Sequence, residues 1–258
     1  MSDNPWDQLR DPRREIAELR DGNLLSALPV AHRRHLLELL PKTKSQILQD
    51  LFVLSQLDFK RNGFFVEFGA CDGVSLSNTF LLENEFGWEG ILAEPGRVWH
   101  EGLRTQRRAL ISTKCVWSHS GETLVFNQTE AAGLSTIASF SEADRWATER
   151  LNGLQYDVET ICLNDLLASA GAPARMDYLS IDTEGSELRI FETFDFSKYQ
   201  FSVITCEHNF TPARKAIAEL LTRHGYVRKH ENLSQFDDWY IHQDVLCAAL
   251  KRAASVLQ

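Results

Sequence analysis

The chain has no apolar run of about 18 residues, no C-x-x-C pair, no block of lysine and arginine, and no internal repeat. Each absence removes a class of protein. Without a long apolar run no membrane-spanning helix is expected, and the first residues, Met1 to Arg20, are polar and charged where a secreted protein carries an apolar signal core. A cytoplasmic protein with no membrane partner follows as the expectation. The five cysteines, Cys71, Cys115, Cys162, Cys206 and Cys247, are scattered, so neither a disulfide frame nor a zinc site is predicted and buried reduced thiols are the default. A formal net charge of −9 without a basic track makes nucleic acid a poor partner.

What is present starts at Phe64. The run Phe64-Phe65-Val66-Glu67-Phe68-Gly69-Ala70-Cys71-Asp72-Gly73 is an apolar strand that breaks into an acid, glycines and a second acid. Glycine lets a ligand approach the backbone there, and amides at the turn and at a following helix N-terminus can receive an anion. About twenty residues on, Gly90-Ile91-Leu92-Ala93-Glu94-Pro95 is a second strand ending in an acid, which suits a ribose hydroxyl. The pair predicts a nucleoside-containing cofactor. The spacing is Glu-x-Gly-x-x-x-Gly and not the dinucleotide G-x-G-x-x-G, and an acid within the strand end suits a cation. S-adenosylmethionine, with its ammonium, sulfonium and carboxylate, matches that mixture better than a pyrophosphate does. A tight turn with solvated Glu67 and Glu94 is the plain alternative.

The 258 residues suit one α/β domain with additions. Residues 1–58 read as a helical cap, with helices at 12–20, 32–40 and 45–57. Strand and helix then alternate through residues 59–242, with strands at 64–69, 90–94, 111–117, 176–182 and 201–207 and a closing antiparallel pair at 225–230 and 239–242. Residues 243–258 read as a C-terminal helix. Such alternation predicts a parallel sheet with right-handed crossovers. Between Gly121 and Tyr156 periodicity weakens, with a hairpin edge at 123–126, and a loop of that length is read as a lid or substrate wall.

Ligands in open α/β sheets sit beyond the carboxyl ends of the strands, and four such ends here carry acids. They are Glu67 with Asp72, Glu94, Asp182 with Glu184, and Glu207 with His208. Buried acids need a positive partner, whether cofactor, metal or substrate.

These segments resemble the FkbM-type S-adenosylmethionine-dependent methyltransferases. The likeness rests on residues 65–73, Ser77-Asn78-Thr79 with Glu83, residues 87–95, Leu134-Ser135, and residues 177–187, in the expected order over about 60–242. It implies a class I methyltransferase, Rossmann-like fold with a seven-stranded, mostly parallel sheet whose last strand is antiparallel. It also implies O-methylation of a hydroxyl on a sugar, glycan or natural product. By the same likeness Glu67, Gly69, Ala70 and Asp72 fall on the cofactor's amino-acid end, Glu94 on its ribose, Ser118 on the adenine edge, and Asp182 by the methyl group. Metal-dependent O-methyltransferases of this fold place one acid after the fourth strand and two ligands after the fifth, so Asp182, Glu207 and His208 form a candidate set for Mg²⁺ or Mn²⁺. The metal-free reading makes His208 a general base oriented by Asp182, with Glu184 a further catalytic candidate; His208 as an ordinary loop residue stays open. Glu187 reads as a helix cap. An NAD-dependent oxidoreductase and an inactive nucleoside-binding protein are the functional alternatives. The expected partner is a small-molecule or glycan acceptor, and a homodimer is left open.

Overall fold

A computed structural model of the chain describes residues 12–256, and side chains from 19 to 251. Residues 1–11 of the expected cap and the last two residues of the expected C-terminal helix lie outside them. The chain begins with α1 (Pro12–Ala27), α2 (Arg33–Leu39) and α3 (Gln49–Gln56), then β1 (Phe64–Phe68), α4 (Phe80–Phe86), β2 (Glu89–Ala93), α5 (His100–Gln106) and β3 (Leu110–Ser112). A second run follows: β4 (Cys115–Trp117), β5 (Thr123–Gln128), β6 (Thr136–Ile137), β7 (Leu154–Cys162) and α6 (Leu163–Ser169). The remainder is β8 (Arg175–Ile181), α7 (Glu187–Thr193), β9 (Gln200–Glu207), α8 (Ala213–Arg223), β10 (Tyr226–Lys229), β11 (Asp237–His242) and α9 (Gln243–Val256).

Seven strands form one sheet in the order β10-β11-β9-β8-β1-β2-β3. It is mixed rather than mostly parallel: β11 pairs antiparallel with both β9 and β10, while β9-β8-β1-β2-β3 pair in parallel. The pleat sorts side chains by parity. Phe65, Tyr178, Val203, Trp239 and Ile241 face one core; Val66, Phe68, Leu179, Ile181, Ile204, Cys206 and Tyr240 face the other.

The N-terminal helices belong to the first core. Leu24, Leu36, Leu51 and Leu54 are buried in it, and Phe52 stacks on Trp239 of β11 at 4.6 Å between ring centroids. They cover a sheet face that would otherwise expose Tyr178, Val203 and Ile241, so the segment expected as an appended cap is integral to the packing.

Three further expectations change. The predicted strand 111–117 is two: β3 stays with the large sheet, and β4 leaves it at Thr113 and Lys114 to pair with β7 in a second sheet of order β4-β7-β5-β6. The expected long loop therefore contains strands, with β5 running antiparallel to β7 from Thr123↔Glu159 to Gln128↔Leu154. The predicted helix from Leu76 starts only at Phe80, because Leu76 is left-handed (φ 62°) and the Ser77-Asn78-Thr79 segment is held by a side chain of β1. Among the described residues no helix is long and apolar enough to cross a membrane.

Candidate active site

Parity also gathers the polar residues. Glu67, Ser180 and Thr205 share the face of Phe65 and Tyr178, in register across β1, β8 and β9, and Glu207 stands opposite Asp237 of β11. The strands end there in a cleft of about 420 Å³. Its walls include Gly69, Glu94, Val116, Asp182, Glu207 and Asp237, closed by residues 131–135 and by Arg145 and Trp146 from the second-sheet region. Gln46 and Gln49 reach it from the N-terminal segment.

Gly69 is required where it stands. Its φ is +70°, and a Cβ there would lie 2.0 Å from the backbone oxygen of Asp182. The β1 turn and the end of β8 are thus in direct contact, which brings Ala70 and Asp182 onto one floor.

Glu67, expected against a cation, has its carboxylate engaged by the protein. Oε1 accepts the Asn78 amide at 2.7 Å, and Oε2 accepts Ser77 Oγ at 3.0 Å and Thr79 Oγ1 at 2.5 Å. It shapes the cleft wall by fixing that segment, with buried Arg107 at 3.7 Å. Asp72 is likewise occupied: Oδ1 accepts the amides of Val74 and Ser75, so the turn satisfies itself. Asn78 is the polar atom left over. Its Nδ2 donates to Ser180 Oγ at 2.9 Å, while its buried Oδ1, in the cleft wall, has no partner.

Glu94 lies where the sequence places it. Oε2 accepts the Cys71 amide at 2.9 Å and Oε1 the Gly96 amide at 2.6 Å, leaving each oxygen a further lone pair. Burial pushes its carboxyl up to about 7. Burial first, and then Glu94 and its acidic neighbours, push the Cys71 thiol well up, which makes it an inert thiol. Ser118 does not line the cleft; its hydroxyl bonds His119 Nδ1 at 3.0 Å, and β4 contributes Cys115 and Val116 instead. The cause is the departure of β4 into the second sheet.

At the other end three carboxylates converge: Asp182, Glu184 and Glu207 offer oxygens within 4.8 Å of one another. His208 is not with them. Adjacent residues of an extended strand point to opposite faces, so His208 turns away with Asp238, its Nε2 3.8 Å from Asp238 Oδ1 and its Nδ1 accepting the Phe210 amide. Burial lowers its pKa. The Asp182–Glu207–His208 metal set is therefore not assembled, and His208 is not placed to act as a base in the cleft.

Burial raises all three carboxyls. Asp182 keeps an edge open to the cleft and is raised to about 6, and Glu207 is pushed well up by burial and by the charge of Asp182. Glu184, left-handed at φ 57°, accepts Arg150 Nη2 at 2.6 Å and Asn209 Nδ2 at 3.2 Å on one oxygen. Arg150 is buried and fully used: it also binds Asp144 through Nη1 and Nη2, and the Leu134 carbonyl through Nε. Glu187 caps as predicted, accepting the amides of Thr183 and Gly185. Arg150 and Asn209 were invisible in the sequence. Neither sits in a motif, and Arg150 comes from the aperiodic stretch whose partners are set only by tertiary packing.

The Methyltransferase FkbM domain model matches residues 67–228, more than half of the chain. The chain belongs to the FkbM methyltransferase family. It is therefore a methyltransferase that uses S-adenosylmethionine, which sets aside the NAD-dependent reading. No curated protein matches the sequence. Among solved structures, it is similar to a precorrin-6y C5,15-methyltransferase from Geobacter metallireducens, at 13% identity over 70% of this chain and 71% of that one, TM-score 0.40. It is also similar to a putative RNA methyltransferase from Pyrococcus horikoshii (14% identity, 70% and 66%, TM-score 0.36). A third likeness is a SAM-dependent methyltransferase from Aquifex aeolicus (8% identity, 75% and 88%, TM-score 0.35).

The FkbM cleft fits this cofactor on its own terms. It offers the spare lone pairs of Glu94 for hydroxyls, the unpartnered Asn78 Oδ1 for a donor, and a floor where Gly69 lets the β1 turn close on the Asp182 backbone.

Proposed function

We propose that this FkbM protein methylates a hydroxyl oxygen of a sugar, glycan or natural product, a small acceptor met in the cytoplasm, with Asp182 as the general base. The observation that carries the reading is the place of Asp182, which lines the cleft and whose backbone oxygen meets the glycine turn of β1, while burial raises its carboxyl to about 6. A base poised near the working pH takes a proton best as a hydroxyl becomes a nucleophile.

In this reading Glu94 holds the ribose, Asn78 Oδ1 accepts from the amino-acid end, and Gly69, Ala70, Cys115 and Val116 form the bed. Glu67 and Asp72 act through the loops they fix. S-adenosylmethionine, when bound, would supply an electrophilic methyl on a sulfonium, whose carbon–sulfur bond breaks with the electron pair on sulfur to leave S-adenosylhomocysteine. Asp182 orients the acceptor hydroxyl and receives its proton as the new oxygen–carbon bond forms, and residues 131–135 with Trp146 exclude water.

The test is product analysis with deuteromethyl-labelled S-adenosylmethionine and hydroxyl-bearing acceptors. Label in an alkali-stable ether is expected. Label found only on nitrogen, on carbon or in a hydrolysable ester sinks the proposal.

A further inference from the structure

We propose that the acceptor carries an ammonium group close to the hydroxyl that is methylated, seated among Glu184, Glu207 and Asn209. This rests on the O-methyltransferase reading and adds the acceptor's charge to it. The inner end of the cleft consists almost wholly of hydrogen-bond acceptors. Asp182, Glu184 and Glu207 crowd their oxygens together, and Asp237 stands opposite Glu207 in the antiparallel register. Asn209 supplies the second, independent observation: it is 8% exposed, lines the cleft, spends its Nδ2 on Glu184, and leaves its buried Oδ1 with no partner. An unpartnered acceptor among carboxylates calls for a donor from outside.

Among the described residues none supplies such a donor. The guanidinium of Arg150 is divided among Asp144, Glu184 and the Leu134 carbonyl, so four carboxyls, Asp144, Asp182, Glu184 and Glu207, share one cation. Among the described residues no lysine lines the cleft, and Arg145 is exposed, stacked over Trp146. A neutral hydroxyl would satisfy one of these oxygens. An ammonium brings three donors and a compensating charge, which matches the set. A divalent ion matches it less well, because the Glu184 oxygen that faces Arg150 already accepts both Arg150 at 2.6 Å and Asn209 at 3.2 Å and has no lone pair to spare for coordination.

The probe pairs are glucosamine against glucose and ethanolamine against ethylene glycol, titrated calorimetrically into the full chain already loaded with S-adenosylhomocysteine. That load fills the cofactor's own ammonium position. Each amine should bind about tenfold more tightly than its neutral twin, the order of one charge-assisted hydrogen bond. Glu207→Gln and Asn209→Ala should each remove the preference in protein whose melting shows a folded chain. Equal binding within both pairs, or no binding of any of the four, overturns the proposal. So does binding of Mn²⁺ or Mg²⁺ alone that the amines do not compete for. The two readings fail differently: label on the nitrogen of glucosamine sinks the O-methyl reading and leaves the ammonium seat, whereas amine-independent binding sinks the seat and leaves the O-methyl reading.

Discussion

Arg150 and Glu184 meet at 2.6 Å with both side chains withdrawn from solvent, and this contact ties the second-sheet wall to the acids at the end of β8. A buried pair is weak evidence for stability, because desolvation offsets most of the attraction, but breaking it leaves uncompensated charge. Arg150→Gln strands Asp144 and Glu184 together. The expected loss is about 3–5 kcal/mol in urea unfolding. Arg150→Lys keeps the charge yet cannot reproduce the four contacts of the fork, so it should fall between the two. Wild-type stability in Arg150→Gln would show that the network contributes nothing.

The ligand-free fold should lose stability as pH rises from about 4 to about 7. Burial raises the carboxyls of Asp50 and Asp182 to about 6 and of Glu94 and Asp237 to about 7. In the unfolded chain the same groups titrate at their ordinary values near 4. At these carboxyls the folded state holds more protons than the unfolded state between those limits, so they contribute a negative slope of stability against pH that flattens above about 7, outweighing the opposite slope from the buried histidines lowered below their ordinary value. Tm measured in steps across that range checks it. A Tm that climbs from pH 5 to pH 7 would contradict the assignment.

Phe52 anchors the N-terminal helices: it is fully buried and stacked on Trp239. Phe52→Ala should cost about 3–5 kcal/mol, as large core truncations do. Denaturant unfolding should show one cooperative transition with a lower midpoint. A separate early transition for the N-terminal helices, with the sheet unaffected, would restore the picture of an appended cap.

The large sheet was legible because β1, β2, β8 and β9 are short apolar runs that end in acids, and buried parallel strands impose that pattern. Glu94 and Asp182 were expected at strand ends for the same reason, and both line the cleft. β7 was missed because only Val158 and Thr160 among its residues are fully buried, so its pattern carries no apolar run. Ser118 failed with the strand break at Thr113 and Lys114, since a sheet change leaves no mark on propensity. His208 failed on pleat geometry that was available: a residue next to Glu207 cannot share its face. Arg150 and Asn209 were out of reach, because the ion pair and the hydrogen bond they make to Glu184 join segments far apart in sequence and are decided by packing.

Glu94→Gln tests the ribose assignment with the least change of shape. Both carboxylate oxygens already accept backbone amides, from Cys71 and Gly96, and a carboxamide can satisfy only one of them. Calorimetry should show affinity for S-adenosylmethionine weakened by about 1–3 kcal/mol, with the surface change Glu101→Gln as an unaffected control. Undiminished affinity in Glu94→Gln would remove this residue from the site.

The base assignment separates most cleanly through two substitutions on neighbouring strands. Asp182→Asn keeps the shape of the cleft floor but can no longer take a proton, so methyl transfer should fall by about 10²–10⁴-fold with little change in cofactor affinity. His208→Gln alters a side chain on the opposite face, where it accepts the Phe210 amide and lies near Asp238, so turnover should persist while stability drops. The pH profile supplies the sign. With Asp182 at about 6, kcat/KM should rise through about pH 6 as the carboxyl ionises, and that limb should vanish from the residual activity of Asp182→Asn. If His208→Gln loses turnover as severely as Asp182→Asn while its fold and cofactor binding hold, the imidazole reaches the acceptor and Asp182 is not the base.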